Sequence, residues 1–134
     1  MKTVYVAGPF RSKKDEHGQI NQWNQNQNIQ NAARIALQLW KYGFAVICPH
    51  LNTAPFQGAL PDAVWLRGDL ELLLGCAYIV MTPDWRDSQG ARAEFDFASE
   101  RGIRRFEWDD DINDAFEIDS AGEWKIGEWL STLV

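Results

Sequence analysis

Cysteine and histidine are scarce in this chain, two of each in 134 residues. Two cysteines make neither a disulfide framework nor a metal cluster. Cys48 and Cys76 each adjoin an apolar run, where a free thiol behaves as a small buried hydrophobe. Neither His17 nor His50 has a second ligand at a recognised metal spacing, so no metal and no cofactor is expected. Long hydrophobic runs are absent as well. None approaches the roughly 18 apolar residues of a membrane span, and the apolar stretch at the N-terminus is too short for a signal peptide. A cytoplasmic location without a membrane partner follows as the expectation. Positive charge is in deficit: 13 Lys and Arg stand against 19 Asp and Glu, for a net charge of −6 and a pI near 4.8. Such a field repels nucleic acid polymers and anionic membranes, so an anionic ligand must be met by a local pocket.

What the chain does have is bulk. Seven tryptophans and seven phenylalanines supply core or pocket material, and the length suits one domain spanning residues 1–134. Thr3 to Ala7 (TVYVA) is β-branched and aromatic, stops at Gly8-Pro9, and reads as a buried first strand. Arg11 to Asn28 reads as a polar loop with an Asn/Gln-rich patch (QINQWNQNQN) that carries no distinct chemical signature. Helical periodicity starts near Ile29 and stops at Gly43. Phe44 to Cys48 reads as a second strand, Pro49 to Leu60 as a turn-rich loop, and Pro61 to Gly75 as a second helix. Ala77 to Met81 is a third strand. Thr82 to Gln89 is a short loop, Gly90 to Arg101 a third helix, and Ile103 to Trp108 a fourth strand. The tail is acidic, then amphipathic, with Trp124, Ile126, Trp129 and Leu130 suggesting a closing helix.

Strands alternating with helices imply right-handed βαβ units and a mainly parallel sheet of four or five strands covered on both faces. The expected fold class is therefore α/β, a flavodoxin- or Rossmann-like three-layer sandwich. Ligands of such sheets bind outside the carboxyl ends of the strands. The loops after Ala7, Cys48 and Met81 all fall at that edge, so they should share one cleft.

At that edge the sharpest pattern is SQGARAE, Ser88 to Glu94. A helix N-terminus offers unpaired N–H groups and a positive dipole end, so Ser88 and the backbone around Gly90 make a phosphate cradle. Glu94, four residues past Gly90, shares its helix face and leans back toward the helix start. The dipole alone also favours a glutamate there. Its neighbours Phe97 and Ala98 are apolar, however, so its carboxyl should be desolvated and its pKa raised. Asp69, among Trp65, Leu66, Leu70, Leu72 and Leu73, is the natural second carboxylate, although Arg67 and Glu71 also permit a solvated position. The first loop contributes Gly8 for close approach, Phe10 to stack on a base and Arg11 for phosphate. Tyr5 points from the first strand, as core or with its hydroxyl at the cleft. Trp85 is a candidate wall of a base pocket. The run Asp109 to Asp111 reads as solvated charge rather than a magnesium site.

Together, the pieces Tyr5 to Arg11 (YVAGPFR), Asp69-Leu-Glu-Leu-Leu, Tyr78-Ile-Val-Met and Ser88 to Glu94 resemble the nucleoside 2-deoxyribosyltransferase-like superfamily, which includes the deoxynucleoside 5′-monophosphate N-glycosidases. The match runs to about residue 105. It implies that Glu94 attacks the anomeric carbon, or helps water do so, while Asp69 positions the sugar and assists the leaving base. Members acting on free nucleosides place an acid six positions before that glutamate. Here the residue is Ser88, which points to a 5′-monophosphate, although Asp87 is adjacent. The resemblance thus implies hydrolysis of a 2′-deoxynucleoside 5′-monophosphate to free base and deoxyribose 5-phosphate. Base exchange, cleavage of NAD and a non-catalytic nucleotide-binding module are the alternatives. The expected partner is a small nucleotide or nucleoside, and the resemblance implies a homo-oligomer, a dimer, with the Trp-containing tail either supplying its interface or capping the sheet.

Overall fold

The structure is a computed structural model that describes residues 1–10, 16–19, 21–56, 58–119 and 125–127. Arg11, Trp124 and Trp129 lie outside the described residues, and so does most of the expected closing helix. Among the described residues, five strands form one sheet: β1 (Thr3–Ala7), β2 (Ala45–Ile47), β3 (Tyr78–Met81), β4 (Arg104–Asp109) and β5 (Asp114–Glu117). Their spatial order is β2-β1-β3-β4-β5, the first four parallel and β5 antiparallel to β4. This is the flavodoxin-like order. The expected α/β sandwich is what the chain forms, and no helix of the described residues is long and apolar enough to cross a membrane.

Strand alternation builds the two faces. Val4, Val6, Tyr78, Val80, Phe106 and Trp108 pack with Ala32, Ile35, Ala36 and Leu39 of helix α1 (Gln22–Lys41). From the opposite face, Tyr5, Ala7, Ile79 and Met81 pack against helix α3 (Asp62–Leu74) and helix α4 (Gln89–Glu100) through Leu73, Ala91 and Ala98. Period-two side-chain placement therefore sends Tyr5 toward α3 and α4, while Val4 and Val6 face α1. Both cysteines are free and buried, burial pushing each thiol up to about 11.

Three elements differ from the sequence expectation. Helix α1 begins at Gln22 rather than Ile29, because Asn21 caps it by accepting from Asn24 N at 3.2 Å. From Gln22 on, the Asn/Gln-rich patch is thus helical. Within the expected loop after β2, Pro49 starts a short helix, α2 (Pro49–Thr53), followed by a 3-10 turn at Ala54–Phe56; proline suits a first helical turn. Strand β5 was not anticipated among acidic residues. It forms because Asn113 turns the chain with φ 53 and because buried Asp114 has its carboxylate satisfied, Oδ1 accepting from Ala115 N at 2.7 Å and Gly127 N at 2.9 Å. Asp109 to Asp111 make that turn: Asp110 Oδ1 accepts from Arg34 and Trp108, and Asp109 Oδ1 accepts from Asp111 N.

Candidate active site

The chains leaving β1 and β3 turn to opposite sides of the sheet, and a cleft opens at that divide, as open α/β sheets dictate. Its volume is about 1030 Å³, large enough for a nucleoside or nucleotide. Gly8, Phe10, Asp69, Ser88, Gly90 and Glu94 all line it. A smaller hollow of about 450 Å³ lies against β4 and β5, away from these residues.

Glu94 is buried, 8% exposed, on the inward face of α4. Burial first, and the Asp69 carboxylate second, push its pKa up to about 8, against a downward pull from the Tyr5 hydroxyl. Asp69, on α3, is half-buried and raised by burial to about 6. Tyr5 lies beneath the pair, and burial together with the Glu94 and Asp69 charges keeps its phenol protonated. Although the phenol and the Glu94 carboxyl are close enough to interact, Tyr5 Oη and Glu94 Oε2 complete no hydrogen bond. A group poised this way has its hydrogen-bonding capacity in hand for a ligand or a proton.

At the start of α4, Ser88 is the N-cap, its Oγ accepting from Ala91 N at 3.2 Å. The N–H groups of Gln89 and Gly90 have no partner within the helix. A Cβ on Gly90 would meet no neighbour closer than 4.0 Å, so the glycine leaves room on the cleft side. Gly8 has a different reason. A Cβ there would fall 2.2 Å from Thr82 Oγ1, so packing against Thr82 requires the glycine whether or not a ligand approaches.

Phe10 is held from two sides. Asn28 Nδ2 donates to Phe10 O at 3.3 Å, and the His50 ring, whose Nε2–H donates to Pro9 O at 2.8 Å, packs edge-on against the Phe10 ring at 5.7 Å. Trp85 is not at the cleft. Its ring stacks on Phe95 at 4.5 Å and its indole donates to Glu107 Oε1 at 2.7 Å. The 3-10 turn Trp85–Asp87 directs it into the α4 core, so its expected role in walling a base pocket is corrected to one of packing.

Sequence reasoning missed several wall residues: Asn24, Gln27 and Asn28 of α1, His50 of α2, Trp65 of α3, and Asp84 and Asp87 before α4. The spacing of Asn24, Gln27 and Asn28 places them on one helical face, a signal that becomes legible once Asn21 is taken as the cap. Burial lowers the His50 pKa, so this ring is neutral. Five carboxylates line the cleft, from Asp62, Asp69, Asp84, Asp87 and Glu94. Among the described lining residues there is no lysine or arginine.

Residues 2–105 match the model of a family described as a domain of unknown function, DUF4406. The chain belongs to that family. DUF4406 falls in the nucleoside 2-deoxyribosyltransferase-like group, as the four sequence pieces implied. Among solved structures, the chain is similar in fold to a 2-deoxyribosyltransferase from the psychrotolerant bacterium Bacillus psychrosaccharolyticus. The TM-score is 0.55 and the identity 18%, over 78% of this chain and 70% of that one. No curated protein matches the chain.

Proposed function

We propose that this DUF4406 member breaks the N-glycosidic bond of a 2′-deoxynucleoside 5′-monophosphate, with Glu94 acting at the anomeric carbon. The observation that carries the reading is the pairing of buried Glu94 with Asp69 over Tyr5, in a cleft of nucleotide size. As the C1′–N bond breaks, its electron pair leaves with the base and positive charge develops on the sugar. An anionic carboxylate close by stabilises or traps that oxocarbenium-like centre, and a proton delivered to the base improves the leaving group. Water then takes the sugar, giving free base and deoxyribose 5-phosphate. Asp69 holds the sugar and shares in the proton traffic. Phe10 offers a face for the base, and Ser88 with the Gln89 and Gly90 N–H groups receives the phosphate.

A second reading is favoured by the charge of the cleft. Asp84 and Asp87 stand beside the cradle, and the described lining residues include no cation to offset a phosphate. This supports an unphosphorylated 2′-deoxynucleoside, with base exchange as the outcome when a second base intercepts the sugar, the activity named for the similar structure. The test is to incubate the protein with the deoxynucleosides and their 5′-monophosphates, with and without an acceptor base, and to chromatograph the products. Free base from the monophosphates, lost in Glu94→Ala, supports the first reading. New nucleoside formed only with an acceptor supports the second, and no glycosidic cleavage of any member sinks both.

A further inference from the structure

The Asn/Gln-rich segment is a sequence feature that this chemistry leaves unused. Residues 19–28 carry carboxamides at Gln19, Asn21, Gln22, Asn24, Gln25, Asn26, Gln27 and Asn28. Helix formation alone does not call for them, because the dipole favours acids in a first turn and α1 has none there. Some have structural work: Asn21 caps the helix, Gln25 is buried and Asn28 holds Phe10. Of the other five, Asn24 and Gln27, three residues apart on the same face, are the two that line the cleft.

The cleft consequently has two unlike walls. Helices α3 and α4 and the turn between β3 and α4 present carboxylates, whereas α1 presents neutral carboxamides. A sugar whose anomeric carbon turns positive belongs with the carboxylates. A nucleobase is neutral and planar, with donors and acceptors adjacent along its edge. A charged side chain offers only donors or only acceptors, but a carboxamide offers one of each and matches such an edge. Phe10, which is tied to α1 by Asn28, supplies a stacking face on this same side.

We propose that Asn24 and Gln27 are base-reading residues, whose carboxamides hydrogen-bond the edge of the nucleobase and set which base the cleft accepts. The inference rests on the reading of the cleft as a nucleoside or nucleotide site. Standing on a helix rather than a loop, the two amides keep a fixed spacing, which is what selective recognition needs.

The experiment separates base reading from turnover. Glu94→Gln protein is titrated calorimetrically with the four common 2′-deoxynucleosides, their 5′-monophosphates, and 4-nitrophenyl 2-deoxyribofuranoside, which carries the sugar without a base edge. Gln27→Met and Asn24→Leu are then added separately to that background; each keeps most of the side-chain volume and removes donor and acceptor. The expected result is that the affinity ratio between the best and worst base shrinks by about tenfold or more, while affinity for the aryl deoxyriboside stays within about twofold. An unchanged ratio in both variants overturns the proposal. So does an equal loss for the aryl deoxyriboside, or a parent protein that binds no base-bearing ligand. Cleavage is measured independently on the otherwise unaltered protein. Base-dependent binding without cleavage removes the proposed function and leaves base reading standing; cleavage with base preference unmoved by the variants does the reverse.

Discussion

Replacing Glu94 by glutamine should make the protein more stable and abolish its chemistry, and the stability gain should depend on pH in a defined way. The Glu94 carboxyl titrates at about 8 in the fold against 4.5 as the reference value, chiefly because burial disfavours its charge. Between those limits the native state holds a proton that the unfolded chain has released. Stability therefore falls as pH rises through this window, by about 1.4 kcal/mol per pH unit. From pH 6 to pH 8 the loss amounts to about 2 kcal/mol, and it reaches about 3 kcal/mol near pH 9, where it levels off. Glutamine has the same shape and no charge to desolvate, so Glu94→Gln escapes the penalty. Urea unfolding of both proteins at pH 6 and pH 9 measures it, since the groups that titrate in both largely cancel in the difference. The variant should gain about 3 kcal/mol relative to its parent between the two pH values. A stability difference that does not change with pH would show that Glu94 is neither buried nor raised, and the case for it as the reactive carboxyl would fall with that.

Asp69→Asn should lower kcat by about 10²- to 10⁴-fold with the fold intact, as loss of an acid–base partner does, read from initial rates on the best substrate. The pH dependence of kcat/KM should be a bell with limbs near 6 and 8, belonging to the Asp69–Glu94 pair rather than to either residue; activity climbing steadily past pH 9 contradicts a one-proton pair. Gly8→Ala should cost about 1–3 kcal/mol by overpacking because its Cβ would lie 2.2 Å from Thr82 Oγ1. Partial recovery in Gly8→Ala with Thr82→Ala, followed by thermal denaturation, checks that cause. Trp85→Phe should cost about 1–3 kcal/mol of stability through the lost bond to Glu107 and leave kcat/KM near that of the parent; a large loss of activity would return Trp85 to the cleft.

The fold was legible where side-chain period and stop signals agree. TVYVA, YIVM and the stretch before Asp109 are buried strands because their β-branched and aromatic residues feed the two faces alternately, and Gly43 and Gly102, with φ 100 and 70, end helices where expected. The cluster of Asp69, Ser88, Gly90 and Glu94 followed from the rule that strand carboxyl ends converge. Less legible was anything that depends on polar side chains being satisfied at a distance. Helix α1 starts seven residues early because one asparagine caps it, and β5 exists because Gly127, far along the chain, donates to Asp114. Trp85 was misplaced because a loop tryptophan gives no sign of which way its turn will send it. Here Glu107 on β4 and Phe95 on α4 decide that direction.

One consequence of β1 geometry unites the stability argument with the chemistry. Alternation places Tyr5, not Val4 or Val6, on the face that α3 and α4 cover, where its phenol feels the charges of both Glu94 and Asp69. The Asp69 charge adds to the burial that disfavours an ionised Glu94. With Asp69 raised by burial to about 6 and Glu94 to about 8, the pair holds a single proton near neutral pH. The neutral phenol nearby favours a charge at Glu94 and pulls its pKa down, against the burial that raises it. Glycosidic cleavage needs one proton for the departing base and one negative charge for the sugar it leaves behind. In the proposed reaction the same pair supplies both in one step, its proton passing to the base as C1′ turns positive. On that proposal, the burial that destabilises ionised Glu94 is what keeps the proton in place for the departing base.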